Sequence, residues 1–272
     1  MSTLIRCKGG AAMSGTVLFA TQGTTATVTL SHAGKLNAIS AQMWRELAAG
    51  FARLSADTSL RCVVVRGADG NFAAGADIAE FPAERADEAA VRHYHMATIA
   101  PALAAVAQCT HPTVAMIEGV CVGGGLEIAS HCDLRIAASD SRFGVPINRL
   151  GFPMAPGELQ GLLALAGRAA ALEILLEGRV FDAAEARDKG LLTRVVEPGA
   201  LAAEVEATAR RIAAGAPVAA RINKATIRRL APSPAPLSPA ELDAHFAYAE
   251  GADHAEGVAA FLARRPPQFR GE

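Results

Sequence analysis

The sequence predicts an α/β protein with a core of alternating strands and helices and a helical C-terminal region. Short apolar runs typical of buried strands recur between stretches with helical spacing. Beyond residue 200 the pattern is almost wholly helical, apart from a proline-rich connector at residues 231–239. We therefore expect a loose extension over residues 1–14, an α/β core over 15–200 and a helical region over 201–272.

Composition narrows the classes of function. The 272 residues are 51% hydrophobic and 19% charged, which allows a large core and argues against disorder. The 26 basic and 27 acidic residues nearly cancel, so we expect neither a nucleic-acid partner nor a membrane surface. Five scattered cysteines without a C-x-x-C pair predict no disulfide framework and no metal site. A reducing cytoplasm is the expected location.

The N-terminal half begins with a predicted β-hairpin, whose strands cover residues 16–20 and 25–30. Ser40 is a suitable N-cap for a helix, because apolar residues follow it at helical spacing. These residues are Met43, Leu47, Phe51 and Leu54. The run CVVV within residues 61–66 predicts a buried strand.

The middle of the chain begins with a long helical stretch over about residues 87–108, in which Pro101 either breaks the helix or starts a second one. Strands are predicted at residues 114–117, 134–138 and 193–196. Helical patterns cover residues 158–166, 169–177 and 182–189, and a glycine- and proline-rich passage covers residues 144–157.

Three consecutive glycines, Gly123 to Gly125, separate the strand at 114–117 from a helix that contains Glu127. A glycine run at this place frees backbone N–H groups at a helix N-terminus, where negative charge is stabilised. The spacing matches neither the G-x-G-x-x-G nor the P-loop motif. The glycines could simply meet a turn or packing demand, and Glu127 could simply stabilise the helix N-terminus.

A second loop of small residues, at positions 73–77, also follows a buried strand and precedes a helix. Two such loops could each point one N–H at a single oxygen atom, which is the arrangement of an oxyanion hole. Small side chains would let a substrate approach the backbone closely. Amide donors beside a carboxylate suit acyl transfer or enolate formation.

Two motifs give the sequence a recognisable family likeness. FAAGADIAEF at residues 72–81, followed by IEGVCVGGGLEIASHCDLRIA at 117–137, closely resembles the enoyl-CoA hydratase/isomerase (crotonase) superfamily. Supporting segments appear in the expected order, and the resemblance covers roughly residues 16–270. These segments are GKLNAIS at 34–40, SRFGVP at 141–146, GRVFDAAEARDKGLLTRVV at 178–196 and EGVAAFLARRPPQF at 256–269.

The resemblance implies an α/β fold built as a spiral of β-β-α turns with a C-terminal helical trimerisation region. It implies a homotrimer, or a hexamer formed as a dimer of trimers. It also implies an acyl-CoA thioester as substrate, with coenzyme A present only as part of that substrate and no separate cofactor.

By the same resemblance, Ala76 and Gly124 donate the oxyanion-hole N–H groups and Glu127 positions or deprotonates a water molecule. The remaining carried-over residues would contact the CoA part of the substrate. They are Lys35 and Leu36 in one loop, Ala74, Asp77 and Ile78 in the second, and, as weaker candidates that could serve a neighbouring subunit, Lys224 and Phe261. Asp77 is also expected to cap or brace its own loop.

One position departs from the family pattern. Hydratases of this type have a second glutamate just after the proline of the F-G-x-P segment, where this chain has Ile147. Isoleucine cannot transfer a proton, so Ile147 is expected to contact substrate only. Hydration of a 2-enoyl-CoA is the leading hypothesis. The alternatives are another acyl-CoA reaction, namely hydrolysis, decarboxylation or C–C cleavage, or a non-catalytic acyl-CoA-binding scaffold.

Three histidines are the remaining candidate site residues. His93 and His95 are two residues apart on a helix and therefore point in different directions, so a metal pair is not expected. His131 lies four residues after Glu127 and is interpreted as a packed helix residue.

Overall fold

The computed structural model describes residues 15–231 and 236–271 and divides their strands between two sheets. The predicted extension at residues 1–14 lies outside the described residues. The strands are β1 Thr16–Gln22, β2 Thr25–Ser31, β3 Cys62–Gly67, β4 Thr113–Ile117, β5 Val120–Val122, β6 Leu134–Ala138, β7 Arg142–Gly144, β8 Phe181–Asp182 and β9 Arg194–Val196. The α-helices are α1 Ala41–Ala56, α2 Phe81–Glu84, α3 Glu88–His93, α4 Ala100–Ala107, α5 Gly124–His131, α6 Pro156–Glu177, α7 Ala183–Asp188, α8 Leu201–Ala214, α9 Pro217–Leu230, α10 Pro239–Phe246 and α11 Ala252–Leu262.

The larger sheet has six strands in the order β1-β2-β3-β4-β6-β9. The hairpin partners β1 and β2 are antiparallel, whereas each later neighbour is parallel to the one before it. The smaller sheet has the order β5-β7-β8. Because β4 belongs to one sheet and β5 to the other, the chain changes sheets just before the glycine run.

Local sequence signals account for the first half of the fold. The Ser40 hydroxyl accepts a hydrogen bond from the Met43 backbone N–H and so caps α1 as expected. The apolar side of α1 is buried, including Leu47 and Phe51. The predicted hairpin and the strand around residues 61–66 are confirmed.

The helical stretch that was predicted over about residues 87–108 is continuous but not uniform. Between α3 and α4 it contains a π-helical segment, Tyr94–Ile99, in which the Ala100 N–H bonds to the carbonyl of His95. Pro101 stands in the first turn of α4, where a missing N–H does little harm. Pro101 therefore starts the second helical segment, as one of the two predicted alternatives requires.

Three strands were missed by sequence interpretation. β5 has only three residues and lies just before the glycine run, β7 overlaps the start of the passage interpreted as glycine- and proline-rich, and β8 has only two residues. Each is defined by pairing with the smaller sheet, and such pairing leaves no periodic signal in so short a segment.

Helix α6 joins two helical patterns that were predicted separately. Gly167 interrupts it with a left-handed φ of 68°. By length and composition alone α6 could cross a membrane. Its first half packs against α4 and α5, which is also how a helix in a protein core packs.

The helices after residue 200 contact two separate parts of the core. Side chains of α8, including Leu201, Val205 and Ala209, cover the face of the large sheet formed by Val64, Val114 and their neighbours. The helices α9 to α11 follow, and residues 232–235 of the proline-rich connector lie outside the described residues. α11 contacts the short turns Ile78–Glu80 and Pro146–Leu150, next to the candidate site.

Candidate active site

The two predicted loops meet at a pair of glycines. A β-carbon built on Gly123 would stand 3.5 Å from the Cα of Gly75, and one built on Gly75 would stand 3.4 Å from the Val122 carbonyl oxygen. Both glycines have positive φ, 98° at Gly75 and 50° at Gly123, which other residues rarely adopt. The loops can therefore approach backbone to backbone.

Each loop leaves one backbone donor free next to this contact. Ile39 binds the residues on both sides of Ala76: its N–H donates to Gly75 and its carbonyl accepts from Asp77. Within the described chain, the Ala76 N–H has no acceptor of its own. Gly124 is the first residue of α5, and its N–H is likewise without an acceptor there. Both residues line the same cavity, which is one requirement of an oxyanion hole.

The cavity has a volume of about 530 Å³, a size usual for small-ligand sites. Its inner wall is apolar and includes Phe81, Ile147, Leu150 and Phe152. Phe261 of α11 contributes to the lining but is 54% exposed, which places it at the solvent side. An apolar wall next to two amide donors suits an acyl chain attached to a polar carbonyl group.

Glu127 lines the cavity from the first turn of α5 and is only 6% exposed. Its carboxylate makes no hydrogen bond to any described residue. Burial raises the pKa of Glu127 well above its usual range, the neighbouring Glu158 raises it further, and the positive charge of Arg85 opposes both effects. Glu127 therefore tends to hold a proton in the closed site.

Lys35 and Asp77 form an ion pair at the mouth of the cavity. The Lys35 ammonium lies 2.6 Å from an Asp77 carboxylate oxygen, and both residues line the cavity. Asp77 also accepts a hydrogen bond from the Ala79 N–H and so caps the short turn that contains Ile78. The prediction that Asp77 caps or braces its own loop is confirmed.

The loop around Lys35 is fixed to the second loop through its backbone. Leu36 and Asn37 have positive φ, and the Leu36 carbonyl accepts from the Ala74 N–H at 3.0 Å. The Asn37 side-chain amide donates to the carbonyls of Ala68 and Asn71. This bracing fixes Lys35 and Ala74 along the same side of the opening.

Three residues that sequence interpretation did not select form the base of the cavity. Glu158, in the first turn of α6, is 3% exposed, and His95 in the π-helical segment is 2% exposed. Arg85, just after α2, is 8% exposed and lies over the ring of Phe81 at 3.7 Å. Its Nε and Nη1 atoms have no hydrogen-bond partner among the described residues. All three line the cavity.

Comparisons with known proteins agree with this geometry. The sequence profile of the family described as enoyl-CoA hydratase/isomerase matches residues 20–272. A probable enoyl-CoA hydratase of Rhizobium meliloti is 34% identical over 256 residues, which are 94% of this chain and 98% of that protein. The chain belongs to the enoyl-CoA hydratase/isomerase family. It is an enzyme of the crotonase superfamily, and the predicted fold class is confirmed.

Solved structures with a similar fold are crotonase-fold enzymes. An enoyl-CoA hydratase/carnithine racemase from Magnetospirillum magneticum is 49% identical, with a TM-score of 0.78 over 94% of this chain and 96% of that one. A methylmalonyl-CoA decarboxylase is 27% identical, with a TM-score of 0.83 over 94% of this chain and 99% of that one. Proteins with this architecture are therefore named for different acyl-CoA reactions.

The structure brings most of the family-derived site residues together. Ala76, Gly124 and Glu127 surround one cavity, and the CoA candidates that line it are Lys35, Ala74, Asp77, Ile78 and Phe261. Ile147 also lines it, so the position without a second glutamate does face the site. Leu36 does not line it and is 52% exposed.

Lys224 from the family-derived set, and His131 from the separate histidine candidates, have other surroundings. The Lys224 ammonium is bonded to Asp133 at 2.6 Å and to the His111 carbonyl at 2.9 Å, and it does not line the cavity. A role toward a neighbouring subunit's ligand stays a prediction. His131 bonds through Nδ1 to the backbone carbonyl of Glu127, so it is a packed helix residue as interpreted.

A weak sequence signal could have pointed to Glu158. It is the first charged residue of α6 and the only one before Arg168 in an otherwise uncharged half-helix. A charge at such a place is normally paired or functional when buried. Neither His95 nor Arg85 stands out in the same way, because each lies in a segment of mixed polarity.

Proposed function

We propose that this enzyme hydrates 2-enoyl-CoA thioesters. The observation that supports this most directly is that Ala76, Gly124 and Glu127 line one cavity, and that the first two have backbone N–H groups without an acceptor among the described residues. Hydratases are also the relatives to which the chain is similar, including the one from Rhizobium meliloti.

The two backbone donors would act on the thioester carbonyl. Addition of water to C3 shifts the double-bond electrons toward the carbonyl oxygen and forms an enolate. Donors fixed in a cavity that excludes water stabilise this charge, and each is worth ~10²–10³ in rate. Glu127 supplies proton transfer, which is typically worth roughly 10²–10⁴.

The entrance would bind the CoA portion of the substrate. Lys35 and the loop from Ala74 to Ile78 lie along one side, and Phe261 lies at the exposed end. The Lys35 side chain is 41% exposed, so its ammonium can reach a phosphate of the ligand while it remains paired with Asp77. Chain length of the acyl group would be set by the apolar wall that includes Phe81 and Phe152.

Decarboxylation of a 2-carboxyacyl-CoA is the second candidate. It needs an enolate-stabilising hole but no base that removes a proton, which fits Ile147 at the family's second glutamate position. Similarity to a methylmalonyl-CoA decarboxylase also favours it. Hydrolysis, C–C cleavage and non-catalytic acyl-CoA binding are the remaining hypotheses.

A comparison of wild type with Glu127→Gln tests the main proposal. Short- and medium-chain 2-enoyl-CoAs are followed by loss of the enoyl thioester absorbance, and we expect kcat to fall by roughly 10²–10⁴ in the variant. Equal turnover in both proteins would remove the catalytic role of Glu127. Mass spectrometry of a wider set of CoA thioesters detects decarboxylation or hydrolysis instead. Tight calorimetric binding without any turnover would indicate a scaffold.

We also propose that the chain forms homotrimers, which could pair into hexamers. Apolar side chains on α9 support this, because they are exposed in the isolated chain. They are Val218, Ile222, Ile227 and Leu230, between 58% and 77% exposed. Light scattering during size-exclusion chromatography measures the mass directly. A monomer at micromolar concentration would contradict the proposal.

A further inference from the structure

Glu158 and Glu127 are brought together by a close helix crossing. Gly161 lies one turn after Glu158 on α6, and Ser130 lies one turn after Glu127 on α5. A β-carbon at Gly161 would stand 2.6 Å from the Ser130 hydroxyl oxygen and 2.8 Å from the His131 ring, so any other residue would force these side chains to move. The first turns of the two helices therefore lie side by side, and both carboxyl groups face one cavity.

The Glu158 carboxyl group is held by a buried imidazole. Nδ1 of His95 lies 2.5 Å from Oε1 of Glu158, and the ring packs against Phe152 and Phe246. Burial and the charge of Arg85 lower the pKa of His95 well below its usual range, so the ring is neutral. This contact is a hydrogen bond to a neutral histidine rather than an ion pair.

The second ring nitrogen of His95 indicates which group donates. Its Nε2 has no hydrogen-bond partner among the described residues. An unpaired N–H would be costly there, because a buried donor loses its hydrogen bond to water. The proton therefore belongs on Nδ1, which donates to Glu158. A donor aimed at a carboxylate favours its ionised form.

Charge around the pair allows only one negative carboxylate at low cost. Arg85 is the cation beside both glutamates, and aromatic rings at 3.7 Å (Phe81) and 4.6 Å (Phe152) surround its guanidinium. Tyr94 and Tyr248, also close to Glu158, have pKa values raised to about 12 by burial and stay neutral. One positive charge matches one carboxylate and leaves the other protonated.

Burial also raises the pKa of Glu158, to about 8, against the opposing effects of Arg85 and of a hydrogen bond with the Ala155 backbone. Glu158 therefore loses its proton within the range of ordinary assays. Glu127 has no such hydrogen bond and keeps the shared proton more readily. The pair is then one base and one acid.

We propose that Glu158 is the second catalytic carboxylate of this site and replaces the one absent at Ile147, with His95 as its positioning residue. This inference rests on the proposed hydration. Glu158 takes a proton from water while the water oxygen bonds to C3, and the electrons of the C2–C3 double bond move onto the thioester oxygen. The enolate then collapses, and C2 takes the proton of Glu127. The product is a 3-hydroxyacyl-CoA, and proton transfer from Glu158 to Glu127 resets the pair.

Kinetics of Glu158→Gln test this role, with Glu173→Gln as the matched control on the exposed part of the same helix. We expect the first change to lower kcat by roughly 10²–10⁴ and the control to leave it within about twofold. Removing the Glu158 charge also lowers the pKa of Glu127, so the basic limb of the pH–rate profile should move to lower pH. Unchanged kcat together with an unchanged pH profile in Glu158→Gln would overturn the proposal.

The positioning role of His95 has its own variants. Asparagine at this position can place an amide N–H near the site of Nδ1, whereas leucine cannot. We expect His95→Asn to retain far more activity than His95→Leu, and only His95→Leu should shift the pH profile. Equal kcat values and equal pH profiles in these two variants would exclude positioning by hydrogen bonding.

A measurement without substrate separates this inference from the proposed function. Infrared titration of the free protein should show the C=O band of one buried carboxylic acid at pH 9, above the pKa of Glu158. The band should persist in Glu173→Gln and disappear in the Glu127→Gln/Glu158→Gln double variant. If wild type hydrates no 2-enoyl-CoA, the proposed function fails, and the band still decides whether the pair shares a proton. Absence of the band from wild type would overturn the pair.

Discussion

Gly75 and Gly123 are the residues at which the loops of the two proposed oxyanion donors meet, and a β-carbon built on Gly123 would stand only 3.5 Å from the Cα of Gly75. The donors Ala76 and Gly124 each follow one of these glycines directly. Their relative position is therefore fixed by a backbone contact rather than by side chains. Perturbing one donor should affect the chemical step more than the fold.

Replacing Ala76 with proline removes one donor of the hole. We expect kcat for 2-enoyl-CoA hydration to fall by ~10²–10³ because the enolate oxygen loses one hydrogen bond. Ala76→Gly is the control, since it changes the side chain but keeps the N–H, and it should stay within about tenfold of wild type. Circular dichroism checks that both variants fold. Similar rates in the two variants would remove Ala76 from the hole.

Replacing Lys35 with methionine tests the CoA entrance. We expect KM for the CoA thioester to rise about tenfold, equivalent to about 1.4 kcal/mol, with kcat little changed. Stability should change by less than about 1 kcal/mol, because the Lys35–Asp77 pair is partly exposed. Lys189→Met breaks a comparable pair with Glu173 outside the cavity lining and should leave KM unchanged. A rise in KM shared by both variants would argue against a specific contact.

Replacing Lys224 with methionine distinguishes a structural lysine from a ligand-binding one. Asp133 accepts from the Thr113 backbone N–H at 2.7 Å and from Lys224 at 2.6 Å, so loss of the lysine leaves a partly buried charge. We expect about 2 kcal/mol less stability in urea unfolding, because Asp133 retains some solvent exposure. Arg210→Met, which breaks an exposed pair, should cost under about 0.5 kcal/mol.

Kinetics of the same Lys224 variant decide its role toward a neighbouring subunit's ligand. A structural lysine leaves KM for the CoA thioester unchanged once the assembled protein is isolated. An increase in KM without loss of stability would instead support binding across the subunit interface.

Stability should depend on pH through Glu158. Its pKa is raised from an ordinary 4.5 to about 8, so the folded protein keeps a proton that the unfolded chain loses. The stabilising contribution is complete below pH 4.5 and is lost as pH rises through about 8. At about 1.4 kcal/mol per pH unit this amounts to at most about 5 kcal/mol.

Denaturant unfolding at pH 5 and pH 8 measures this dependence. Relative to wild type, Glu158→Gln should gain stability between the two pH values, because glutamine has no proton to lose. Glu173→Gln should not gain, since Lys189 and Arg179 lower the pKa of Glu173 by hydrogen bonding. A parallel pH dependence in wild type and Glu158→Gln would contradict the raised pKa.

Sequence interpretation reached the parts of the site that lie in continuous motifs. Ala76 and Asp77 lie in one loop and Gly124 and Glu127 in the other, so their chemistry could be inferred from local composition and family resemblance. Ile147 was recognised as a missing carboxylate for the same reason, and it does face the cavity. Glu158 was not recognised, because nothing within its own helix shows what it faces.

The sequence by itself determined the alternation of strands and helices, the two glycine-containing loops and the residues proposed as oxyanion donors. These features are local, since capping, periodicity and glycine φ angles depend on neighbouring residues. Only the tertiary structure decided that His95, Arg85 and Glu158 share the cavity with Glu127. Three separate segments meet there through helix packing, with Gly161 permitting the close approach of α6 to α5. Long-range packing of this kind decides which buried charges face one another, and so which protonation states are available.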